Sequence, residues 1–188
     1  MIQSPTAARR LLLGELSEKA ESQLRDLELE LYGGKECDSP FTLRAILACR
    51  MGARLEDVAH LLDWKEFESF SAGLLRAKGF DVEENVFVKR PRAQVDVLAR
   101  SGLVSLAVDC KHWERGMGPS SLKRCVEAQR RRAKLLRAAR STLAPLASVI
   151  LLLAEEEVRF VAGGAVVPVR TLGSFLEGIQ GFDELEFD

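Results

Sequence analysis

Residues 94–113 read QVDVLARSGLVSLAVDCKHW, and their alternation decides the fold. Two apolar runs, 95–99 and 103–110, flank a Ser101-Gly102 turn, and both carry the β-branched residues that favour strands. Side chains alternate faces along a strand, so Val104, Leu106, Val108 and Cys110 are expected on one side, with Ala107, Asp109 and Lys111 on the other. Asp109 and Lys111 therefore point the same way. In the first arm Val95, Val97 and Ala99 are expected on one face and Asp96 on the opposite one, so a paired register brings Asp96 beside Asp109. Two adjacent carboxylates repel unless a cation sits between them. Hard oxygen donors around an incompletely filled shell suit Mg²⁺ or Mn²⁺, which keep waters and accept a phosphate oxygen.

Working outward, residues 63–78 predict a helix that buries Phe67, Phe70, Leu74 and Leu75, with Glu68 beside that apolar face. Gly79 ends it before a strand at 80–88. After the hairpin, a loop at 116–119 leads to a helix reaching about Arg140, capped by Ser120 or Ser121. Its apolar stripe is Leu122, Val126, Ala133 and Leu136. Gln129 falls on the same stripe, so it needs a hydrogen-bond partner against the sheet. Lys123, Arg124, Arg130, Arg131, Lys134 and Arg137 take outer positions suited to phosphate contacts. Residues 147–154 read as a buried strand, 158–161 and 165–169 as short strands about Gly163-Gly164, and 172–179 as a closing helix. The tail FDELEFD is acidic and expected to be loose.

Before residue 63 the pattern is helical. Residues 5–31 read as one long helix, with Ser4 as N-cap, Pro5 at its first position, and Leu13, Leu16, Ala20, Leu24, Leu27 and Leu31 as one stripe ended by Gly33-Gly34. Such a stripe either pairs with a second copy or packs back on its own domain. Residues 43–51 and 55–62 form a helical pair. Ala48, Gly52, Val58 and Leu61 stand at offsets resembling a helix-turn-helix, yet Glu56 and Asp57 would face phosphates that repel them, so a packing role is expected.

Net charge over the 188 residues is −1, but it is unevenly spread. Residues 89–140 hold fourteen Lys and Arg against four Asp and Glu, an excess of ten positive charges, so the remainder is acidic by eleven. A basic block around the candidate site, which includes Arg90 and Arg92, is the footprint of a polyanionic partner. No apolar run approaches the roughly 20 residues that cross a bilayer, and no apolar leader opens the chain, so a cytoplasmic protein free of the membrane is expected. The cysteines Cys37, Cys49, Cys110 and Cys125 show no zinc-finger spacing, and a Cys37–Cys49 disulfide stays open.

Asp96, twelve residues, then Asp109-x-Lys111 resembles the signature of the PD-(D/E)XK nuclease superfamily, the fold of many restriction endonucleases and of archaeal Holliday junction resolvases. Glu68, eleven residues before Gly79-Phe80, is similar to the helix Glu of resolvases and Mrr-like restriction enzymes, and Gln129 resembles the Gln that several branches carry in the next helix. Asp109 stands where Glu is commoner, and RPRAQ precedes Asp96 where relatives often have glycines. The resemblance implies an α/β fold with a restriction-endonuclease-like core (helix, three strands, helix, strand) over residues 63–188, preceded by an all-helical region over residues 1–62. It also implies a metal-dependent endonuclease that hydrolyses DNA phosphodiesters to 5′-phosphate products. Asp96, Asp109, the carbonyl of Cys110 and Glu68 would hold Mg²⁺ or Mn²⁺, Lys111 would orient the attacking water, and Gln129 would join the catalytic set. The alternative is a noncatalytic DNA-binding or scaffolding protein that keeps the nuclease fold. Because one such site cuts one strand of a duplex, a homodimer is expected.

Overall fold

In the computed structural model, residues 5–35, 37, 39–113, 118–140, 143–153, 157–179 and 185–187 are described. Helices α1 (Pro5–Leu12), α2 (Glu18–Tyr32), α3 (Pro40–Arg50), α4 (Leu55–Ala59) and α5 (Trp64–Ala77) precede strands β1 (Asp81–Val88), β2 (Ala93–Arg100) and β3 (Ser105–Lys111). Helix α6 (Pro119–Ala139), strands β4 (Leu146–Leu152), β5 (Arg159–Val161) and β6 (Gly164–Pro168), and helix α7 (Leu172–Gly178) follow. The sheet order is β1-β2-β3-β4-β6-β5. The meander β1-β2-β3 is antiparallel, β3, β4 and β6 run parallel, and β5 closes the edge antiparallel to β6. A parallel β3–β4 pair requires a crossover, and α6 supplies it. This is the helix, three-strand, helix, strand order of the restriction-endonuclease-like fold.

Both faces of the sheet are covered. On one, Phe67, Phe70 and Leu75 of α5 pack with Val97, Ala99, Leu106, Val108, Val149, Leu151 and Val167, and the same core continues into Leu11, Leu27, Leu31 and Ile46 of the amino-terminal helices. On the other, Ala133 and Leu136 of α6 meet Leu98, Ala107 and Leu146, while Leu122 and Val126 meet Ile150, Leu152 and Val166. The near-continuous burial of β3 and β4 is what two covered faces demand. A Cβ at Gly73 would collide with Ile46, so glycine there lets α3 and α5 cross closely. Helix α5 begins in a full capping box: Asp63 accepts from the Glu66 backbone at 2.8 Å and Glu66 accepts from the Asp63 backbone at 2.8 Å.

Several expectations need correction. The helix expected over residues 5–31 is two, because Gly14 adopts φ +83 and Ser17 then N-caps α2 by accepting from the Ala20 amide. The expected cap at Ser4 lies outside the described residues. Much of the leucine stripe folds back on its own sheet domain: Leu27 and Leu31 are buried and Leu24 is packed against that core, whereas Leu13 and Leu16 are exposed. Helix α6 starts two or three residues earlier than expected, with Pro119 at its first position and Gly118 as N-cap, so Ser120 and Ser121 lie inside the first turn. The last hairpin turns on Ala162-Gly163, both at positive φ, which are the torsions a two-residue hairpin loop takes. In the tail, Leu185 is buried and Phe187 bridges to Ala147 of β4, so this part is docked on the sheet. All four cysteines are free thiols, so Cys37 and Cys49 are not joined. Among the described residues no helix is long and apolar enough to cross a membrane.

Candidate active site

β2 and β3 pair from Arg100 opposite Ser105 to Val97 opposite Val108, and there their pairing ends. Beyond that point β2 stays with β1 as far as Ala93 opposite Val88, and β3 stays with β4 as far as Lys111 opposite Leu152. The sheet thus opens into a fork. Asp96 and Asp109 are the first residues past it, and Asp96 Oδ2 accepts the Cys110 backbone N–H at 2.9 Å where a ladder bond would have been. The fork also accounts for a failed expectation. Val95 leaves the face shared by Val97 and Ala99 and packs with Val86, Val88 and Ala93 in the core beneath α6. Asn85, set across from Asp96 by the β1–β2 register, sits at φ +52, a left-handed conformation that turns the ladder there.

Asp109 is 4 % exposed and carries a cation on each oxygen. Lys111 Nζ lies 2.7 Å from Oδ2 and Arg132 Nη1 lies 3.0 Å from Oδ1. The period-two reading that placed Asp109 and Lys111 on one face is thereby borne out. Burial lowers the Lys111 pKa, but the Asp109 charge and hydrogen bond outweigh it, and the ammonium is held above its ordinary value. Burial first, and then the Asp109 charge, raise the pKa of Asp96 despite the Cys110 amide. The Cys110 thiol is buried in the large core, and burial pushes its pKa well up, so only its backbone is suited to a metal.

Glu68 reaches the fork from α5. It lines a cleft of about 480 Å³ together with Asp96, Trp64, Ser69, Glu84 and Asn85. Burial and the Asp96 charge raise its pKa to about 7, against a smaller opposing pull from Lys111. His112 pins the end of β3: its ring lies 5.4 Å from the Phe67 ring and its Nε2 is 3.1 Å from the Ala59 carbonyl. Gln129 of α6 is fully buried, as its place on the stripe required. Its Oε1 accepts from Arg132 Nη1 at 3.2 Å, and its Nε2 has no hydrogen-bond partner among the described residues.

Glu68, Asp96, Asp109 and Cys110 offer hard oxygen donors, and carboxylates that raise one another's pKa are the donor set a divalent cation relieves. In kind they fit Mg²⁺. In arrangement they are open, since among the described residues no three His, Cys, Asp or Glu side chains already converge to hold a metal.

The basic residues divide. Lys123, Arg124, Arg131 and Lys134 on α6 are exposed, as are Arg90 and Arg92 in the β1–β2 turn. Arg130 and Arg137 turn inward, contrary to their expected outer placement. Arg130 pairs with Glu186 and donates to the Ala162 carbonyl at 2.6 Å, and Arg137 donates to the Leu143 carbonyl. The side chain that sequence reasoning missed is Arg132. It lies off the apolar stripe and counts there as one more surface charge; its position three residues after Gln129 was the available signal.

Residues 59–149 match the restriction endonuclease family Mrr_cat, a span that covers α5, the three-strand meander, α6 and the start of β4. None of the curated proteins compared with the chain matches it.

Proposed function

We propose, from the match of residues 59–149 to the restriction endonuclease family, that the protein is a metal-dependent endonuclease of the PD-(D/E)XK superfamily, hydrolysing DNA phosphodiester bonds in the cytoplasm. One observation supports this reading above the others: Asp109 and Lys111 form an ion pair beside Asp96 where β2 and β3 part, inside the matched span. Asp96, Asp109 and the Cys110 carbonyl would hold Mg²⁺ or Mn²⁺, with Glu68 as the further carboxylate. When bound, the metal supplies a Lewis acid at the phosphoryl oxygen and an acidified water. Lys111, beside the scissile group, orients the attacking water and stabilises the charge that grows on phosphorus. Gln129 Nε2 has a donor to spare for that water or for a phosphate oxygen. Arg90, Arg92, Lys123, Arg124, Arg131 and Lys134 hold the flanking phosphates. Attack in line breaks the P–O3′ bond and leaves a 5′-phosphate.

A homodimer presents one site to each antiparallel strand. Much of the amino-terminal stripe is spent on the protein's own core, so the interface belongs to the nuclease domain, and the full chain is expected to run as a dimer by light scattering. A monomeric full chain overturns the dimer.

Asp109's two engaged oxygens favour a second reading, a DNA-binding protein that keeps the fold without turnover. Nicking of supercoiled plasmid separates the two. The enzyme nicks with Mg²⁺ or Mn²⁺ and stops on chelation; binding without nicking in either metal supports the second reading.

A further inference from the structure

Arg132 reaches from α6 to Asp109, the buried carboxylate of the candidate site. Its Nη1 donates to Asp109 Oδ1 at 3.0 Å and to Gln129 Oε1 at 3.2 Å, so Gln129, fixed by complete burial, steers the guanidinium onto Asp109. Arg132 itself is not buried: 39 % of its side chain is exposed, against 6 % for Asp109. A half-exposed arginine therefore covers one oxygen of a buried carboxylate while Lys111 covers the other. The amide it steers by leaves the fully buried Gln129 Nε2 without a partner among the described residues, a donor set at the same site with nothing to donate to.

A carboxylate has about four lone-pair sites, so two cations do not exhaust Asp109, but a divalent metal entering there meets a full positive charge on Oδ1. Lys111 is the more enclosed of the two cations, its side chain 24 % exposed against 39 % for Arg132, so it is the less free to leave Asp109. Arg132 can leave, because its long side chain is rooted on α6 and opens to solvent. We propose that Arg132 is a counter-cation for the metal site: it neutralises Asp109 in the metal-free protein, yields Oδ1 to the divalent ion, and then turns to a DNA phosphate. It is a positioning residue, acting on metal binding through Asp109. This inference rests on the metal-dependent nuclease reading and adds the regulation of that site.

The test is Mn²⁺ binding to the full chain without DNA, measured by calorimetry and counted as the part lost in Asp109→Asn. Arg132→Ala, and Arg132→Gln as a charge-free variant of similar length, are expected to bind Mn²⁺ about fivefold or more tightly than wild type, the low end of a typical coupling between sites. Arg132→Lys, which restores the charge, returns affinity towards wild type. A purely structural arginine would give the opposite sign, because loss of a support loosens the ligand. Equal or weaker Mn²⁺ affinity in both charge-free variants overturns the inference and leaves the nuclease reading standing. No Asp109-dependent binding in any variant overturns both. A second readout concerns DNA: Ca²⁺ is expected to raise wild-type affinity for a duplex by a larger factor than it raises that of Arg132→Ala, and an equal gain contradicts the turn towards phosphate.

Discussion

The β2–β3 hairpin is two regions that meet at Val97 and Val108. On the turn side the strands are paired, and Leu98, Ala99, Leu106 and Ala107 are essentially dry. On the other side, within three residues, come Asp96, Asp109 and Lys111, where Asp96 accepts the Cys110 amide and Asp109 pairs with Lys111 in place of ladder bonds. The chemistry proposed for the second region needs the rigidity of the first. A carboxylate at the end of a packed strand is held within the tolerance that catalysis requires, and parting the strands leaves backbone and side-chain oxygens with room for a ligand.

Breaking the paired side has the largest expected effect. Leu106→Ala removes a buried side chain from the core beneath α5 and should cost about 2–5 kcal/mol of stability, read as a fall in the denaturation midpoint. Activity should fall only as far as folding does. The parted side should behave in reverse: Lys111→Ala lowers the nicking rate by about 10²–10³-fold, the usual loss when one group stabilising the developing charge is removed, with the melting temperature near wild type.

Glu68 sharpens the contrast through pH. Its folded pKa of about 7 lies above its ordinary 4.5, so the folded state holds the proton more tightly than the unfolded one. Its unfavourable contribution is absent below the ordinary value, grows as pH rises through that window, and is complete above the folded value. Glu68→Gln should therefore match wild-type melting at pH 4.5 and exceed it increasingly up to pH 8, and Mg²⁺ should reduce the difference. A gap that does not change with pH would remove Glu68 from the carboxylate group. The smallest effect belongs to the outer face of α6. Reversing Lys123, Arg131 and Lys134 to Glu should weaken binding to all DNA sequences alike, and each lost phosphate contact should flatten the salt slope by about one.

Strand β3 and helix α6 were legible in the sequence because each keeps one periodicity along its length, β3 even past the fork. Alternation placed Asp109 with Lys111 and the stripe of α6 placed Gln129, and the structure agrees on both. Where a local torsion overrides the period, the pattern misleads. Leu13 and Leu16 continue a helical stripe straight through Gly14, whose positive φ ends α1, and Val95 continues an alternation that stops at Asp96. Arg132 was illegible for another reason: six basic residues between Lys123 and Lys134 look alike until the sheet shows which one stands over a buried carboxylate. Likewise the tail reads as acidic and loose because Leu185 and Phe187 have no period of their own, only a sheet to dock on.

The most direct measurement is the rate at which Asp109→Asn, folded to the wild-type melting temperature or above, nicks supercoiled plasmid in Mg²⁺. The substitution keeps the shape of the side chain and removes the charge that meets Lys111, Arg132 and the expected metal. The expected result is metal-dependent nicking by wild type and none above background by the variant. Nicking by Asp109→Asn at the wild-type rate would contradict the assignment of the strand fork as the active site.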